Sequence, residues 1–134
     1  MADLILVQNG GKLAFGDYTL DVKGKADGFE FGGDIYKVKT FKEITKLEKN
    51  GLFVYESVPG TDVTDFAASE KEVSFTVKGT TDTQITLGLE AEKDFKLFID
   101  GTNVGKVKTN LGGKLVLSVA LSDGKAAEVR VVKQ

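Results

Sequence analysis

The sequence predicts an all-β protein, arranged as two small β-sandwich-like lobes with the C-terminal one immunoglobulin-like. Two observations carry that prediction, and one competes with it. Short runs of alternating apolar and polar residues recur along the chain, the pattern of strands with one buried face. Turn chemistry fills the gaps: there are 16 glycines and a single proline in 134 residues, and Asp-Gly or Asn-Gly steps sit between the runs. A helical stripe competes with the strand pattern in one place, residues 41–49.

In the N-terminal part, residues 1–58, the strand candidates are Leu4–Gln8, Lys12–Phe15, Thr19–Val22, Gly28–Phe31, Ile35–Thr40 and Leu52–Glu56. Asn9-Gly10-Gly11, Gly16-Asp17 and Gly32-Gly33-Asp34 supply the turns. Residues 41–49 admit two readings. Thr40-Phe41-Lys42-Glu43 matches a capping box, with Phe41, Ile44 and Leu47 on one helical stripe. Alternatively, Asn50-Gly51 is a type I′ hairpin signal that pairs Thr45–Lys49 with Leu52–Glu56. The β-branched and aromatic residues of the second arm favour the hairpin.

Residues 59–72 read as a linker or crossover. Val58-Pro59-Gly60-Thr61 has the composition of a type II turn, and Val63 and Phe66 are expected to anchor the polar stretch that follows. Residues 73–134 are the more regular part. Strand candidates are Val73–Val77, Gln84–Leu89, Phe95–Ile99, Val104–Thr109, Leu115–Leu121 and Ala127–Val132, with Asp100-Gly101 a hairpin signal. Six short strands with turns between them point to a small sandwich of immunoglobulin type.

Composition bounds the chemistry. Histidine, cysteine and tryptophan are absent, and Arg130 is the single arginine beside 17 lysines. Few groups titrate near neutrality, so zinc, copper or iron would have to be held by carboxylates alone. No cofactor and no metal site is expected. The net charge of −2 is evenly spread, which gives nucleic acid no basic surface. Leu4-Ile5-Leu6-Val7 is shorter than the apolar core of a secretory signal, about 7–15 residues, and follows an acid. No run approaches the roughly 20 residues of a membrane-spanning helix. The chain is therefore expected to be made in soluble form, with its final site open.

Candidate motifs resolve into turns and faces. Gly32-Gly33 and Gly112-Gly113-Lys114 lack phosphate-loop spacing, since Leu115-Val116-Leu117 follows as a strand. Asp100-Gly101-Thr102-Asn103 and Asp62 with Asp65 lack the alternation of a calcium loop. Asp17/Asp21, Glu30/Asp34 and Glu90/Glu92 are the close carboxylate pairs, without the tryptophans or arginines that surround a sugar-cleaving site. The aromatic residues carry more. Phe29 with Phe31, and Phe53 with Tyr55, stand two apart and share a strand face, while Phe98 alternates against Phe95, Leu97 and Ile99. These five form the candidate interaction surface, with burial in the core as the competing expectation.

The segments 90–101, 104–110 and 113–115, with Val129-Arg130-Val131, resemble the small immunoglobulin-like or fibronectin-III-like modules of bacterial surface and polysaccharide-active proteins. Across nearly the whole chain, 33–47 and 53–61 are similar to short bacterial proteins described as endosialidases. Sialidase-type sites clamp the substrate carboxylate with several arginines, so that activity is not carried over to a chain with Arg130 alone. The expectation is a non-catalytic structural protein that assembles with itself into a filament, shell, surface or virion layer. The alternative is a carbohydrate- or surface-binding accessory module.

Overall fold

The computed structural model describes residues 3–8 and 10–134; Asn9 of the expected first turn lies outside them. The described residues form thirteen strands: β1 (Ile5–Gln8), β2 (Lys12–Phe15), β3 (Gly24–Phe31), β4 (Asp34–Phe41), β5 (Ile44–Lys49), β6 (Leu52–Val58), β7 (Asp62–Ala68), β8 (Glu72–Lys78), β9 (Thr83–Gly88), β10 (Asp94–Ile99), β11 (Thr102–Lys108), β12 (Lys114–Val119) and β13 (Ala126–Lys133). They make two antiparallel sheets, β1-β2-β7-β8-β13-β10-β11 and β12-β9-β6-β5-β4-β3. The protein is all-β, and the two sheets pack as a β-sandwich.

Alternation drives this packing. Val73, Phe75 and Val77 of β8, Ala127, Val129 and Val131 of β13, and Leu115, Leu117 and Val119 of β12 are all buried, while the residues between them point outward. The β8 and β13 residues belong to the seven-stranded sheet; those of β12, with Val38, Leu47, Tyr55, Ile85 and Leu87, come from the six-stranded one and meet them in one continuous core. Strands from both sides of residues 59–72 occur in each sheet. β6 pairs with β9 in the six-stranded sheet, and β7 joins β2 to β8 in the seven-stranded one.

Several expectations change in the structure. Residues 59–61 make the crossing between the sheets, but Asp62–Ala68, expected as linker, is a strand bonded on both sides. Val63 and Phe66 are buried, as their role as anchors requires. The turn at Pro59-Gly60 is not type II: the Val58–Pro59 peptide is cis and Gly60 does not adopt a positive φ. Gly60 is required there for space, because a Cβ would overlap the Phe41 carbonyl oxygen. Thr19–Val22 is not a strand. The Asp17 carboxylate accepts the backbone N–H and hydroxyl of Thr19, and that local turn outcompetes a ladder. The hairpin reading of 41–49 holds, with Asn50 and Gly51 both at positive φ between β5 and β6.

A chain of buried hydroxyls locks the 59–61 crossing. Thr45 Oγ1 donates to Thr61 O and accepts from Thr61 N–H, so the Thr40 hydroxyl at 2.8 Å must be donating to it. Thr61 Oγ1 in turn lies 2.8 Å from the Tyr55 hydroxyl and 2.7 Å from Ser57 Oγ. All five residues are fully buried. Burial pushes the Tyr55 phenol far above its ordinary pKa, and the two hydroxyl partners only partly offset this.

Candidate interaction surfaces

The five aromatic residues separate into four environments. Phe31 and Phe53, distant in sequence, converge on one groove between the sheets at an end of the sandwich. It measures about 390 Å³ and is lined chiefly by Leu13, Phe31, Tyr36, Leu52, Phe53 and Phe66. The strand order makes this happen, since β3 and β6 belong to the sheet that faces β2 and β7. Leu52 on the rim is 71% exposed, which is unusual for leucine beside an apolar floor. Lys114 places its ammonium 4.4 Å from the centre of the Phe53 ring. Lys49 on the same rim faces Asp34 at 3.9 Å, and Asn50 donates to that carboxylate. Burial, and then the charge of Asp34, raise the Tyr36 phenol.

Tyr55 is withdrawn from any surface. An extra residue in β6, between the partners of Leu47 and Glu48, breaks the two-residue alternation. Tyr55 therefore enters the core while Phe53 stays at the groove. Phe29 is half-buried against the core beside Tyr36 and does not reach the groove. Phe98 points away from the core, as its alternation predicts, onto the outer face of the seven-stranded sheet. There the Arg130 guanidinium stacks over it at 4.9 Å while also holding Glu72 at 3.2 Å. A shallow cleft of about 380 Å³ adjoins this pair, with Lys12, Asp65 and Glu128 on its walls.

At least one member of each close carboxylate pair is engaged elsewhere. Asp17 is held by Thr19, Asp34 by Lys49 and Asn50, and Glu90 by Lys133 and Lys93. Lys133, donating to Glu90, lowers that carboxyl's pKa. Asp100 spends its carboxylate on the Glu128 N–H, and Asp62 accepts from the Tyr18 N–H.

The sheets end on four strand edges: β1 and β11 in one, β3 and β12 in the other. β1 closes against β3, where Leu4 packs on Gly24. At the other side β11 is exposed along its length except at Val107. Three large apolar side chains stand out in the same stretch of chain: Val104, Leu111 and Val116. Val116 is exposed because it alternates with the buried Leu115 and Leu117, and Val104 because it is the extra residue of the edge strand β11. No family model matches the chain, and neither a curated protein nor a solved structure does. Among the described residues no helix is long and apolar enough to cross a membrane.

Proposed function

We propose that this protein is a non-catalytic structural element that associates with copies of itself, as a component of a filament, shell or surface layer. The observation that carries this reading is the open side of the sandwich. Two strand edges, β11 and β12, end there together; Val104 and Val116 stand exposed on them, and Leu111 in the turn that joins them. Free backbone groups flanked by apolar side chains are what strand addition uses for affinity. The split of 73–134 into four strands in one sheet and two in the other, with β9 pairing β12 and β10 pairing β13, supports an immunoglobulin-like unit. Sedimentation velocity over a concentration series, with negative-stain microscopy of the same sample, tests the reading. Concentration-dependent association is expected; a chain that stays monomeric throughout removes it.

A second reading rests on the groove. Phe31 and Phe53 offer two half-buried rings on a groove of about 390 Å³, so an accessory role in binding carbohydrate is the alternative. Titration of neutral and acidic oligosaccharides, followed by amide chemical shifts, is expected to move Gly11, Leu52 and Gly88. Phe53→Ala abolishes those shifts if the rings are the platform, and silence of all three amides ends this alternative.

A further inference from the structure

The four edges are not equally available, and the difference identifies a partner. β1 has four residues and lies against β3. β3 is broken by a register shift between Ala26 and Phe29, and carries Lys25, Asp27 and Glu30. β11 is broken at Val104, opposite the Leu97–Phe98 step, and carries Lys106 and Lys108. Shortness, bulges and charges each discourage pairing at an edge. β12 has none of these beyond Lys114 at its start: its register with β9 runs unbroken from Lys114 to Val119.

The hydrogen bonds show which groups of β12 face outward. Leu89 N–H donates to Gly113 O, so Gly113 and Leu89 are a hydrogen-bonded pair, as are Leu115, Leu117 and Val119 with their partners on β9. The intervening residues turn their backbone groups away from β9. Lys114 does so visibly: its N–H donates to Asn110 Oδ1 and its carbonyl accepts from Asn110 N–H. The N–H and C=O of Val116 and Ser118 therefore face the edge, and no described residue bonds them. Val116 is 46% exposed and Ser118 is exposed as well.

Resting on the self-association proposed above, we infer that β12 pairs antiparallel with β12 of a second copy, centred on Leu117. This register sets Val116 opposite Ser118 of the other copy twice over, so four free backbone groups on each strand meet their complements. It also sends the two Lys114 side chains to opposite ends of the ladder, whereas parallel pairing in register would place them side by side. With one usable edge per copy, the contact is isologous and closes as a dimer.

Two variants and one measurement on the wild type test this. Ser118→Lys adds a charge on an outward side chain, and Val116→Pro removes an edge-facing N–H that the sandwich does not use. Both are expected to sediment as monomers, with strand signal and cooperative unfolding retained. In the wild type, hydrogen exchange at the Val116 and Ser118 amides is expected to slow as concentration rises. Should association persist unchanged in Ser118→Lys, with those two amides exchanging equally fast at low and high concentration, this pairing is overturned while self-association stands. A wild-type chain monomeric at every concentration overturns both.

Discussion

Thr45 shows how much one small side chain can hold. Its hydroxyl serves the Thr61 carbonyl, the Thr61 N–H and the Thr40 hydroxyl at once, with all three residues fully buried. Thr45→Val keeps the shape and leaves both Thr61 backbone groups without a partner, so a loss of about 1–3 kcal/mol is expected in urea unfolding. A loss no larger than that of an exposed Thr→Val control would show that water replaces the hydroxyl. Asp62, half-buried at the same crossing, behaves differently. Burial raises its pKa; the Tyr18 N–H opposes this, Asp17 adds to it and Lys78 opposes it. A carboxyl with a raised folded-state pKa contributes most below its unfolded pKa, and that contribution is lost as pH rises through the folded value. Asp62→Asn is therefore expected to be more stable than wild type near neutrality, with the gap narrowing toward about pH 3. A variant less stable than wild type at neutral pH would mean that Tyr18 and Lys78 outweigh the burial.

Whole strands depend on whether their alternation survives. β8, β12 and β13 keep a two-residue period, and their limits agree with the sequence reading to within about two residues. β7 could not be found that way. A register shift between Thr64 and Ala67, with Asp65 at positive φ, puts its buried residues Val63 and Phe66 three apart, the spacing of a loop with two anchors. The same defect in β6 separates Tyr55 from Phe53. The groove was legible only as a set of aromatic candidates, because its assembly from β3 and β6 depends on strand order, which residue spacing does not encode. Turns were more transparent where backbone sign decides them. At Gly51, with φ of 78°, an alanine has open space but an unfavourable backbone, so Gly51→Ala should cost about 1–2 kcal/mol. Gly60→Ala, which meets the Phe41 carbonyl, is expected to lower the melting temperature further. The reverse order would show that the 59–61 crossing shifts easily, contrary to its hydroxyl lock.

At the scale of the molecule, four rings tie the chain together. Phe15 of β2 meets Tyr55 at 5.2 Å and Phe66 at 5.5 Å, both edge-on. Phe75 of β8 meets Tyr55 edge-on at 5.6 Å and stacks with Phe66 at 5.8 Å. Phe15 and Tyr55 come from residues 1–58, Phe66 from the segment expected as linker, and Phe75 from residues 73–134. Any loosening of one ring is thus felt on both sides of the 59–72 segment. Phe66→Ala is expected to cost about 3–5 kcal/mol, since neighbours on two strands must close over the space left. Because the core is continuous, that loss should appear as one transition displaced as a whole. Backbone circular dichroism and the tyrosine signal, whose three sources all lie before residue 59, should share a single midpoint. A variant whose tyrosine transition moves down while residues 73–134 melt at the wild-type temperature would mean that the two parts hold their own cores. In that case the aromatic cluster joins two independent units without making their unfolding cooperative.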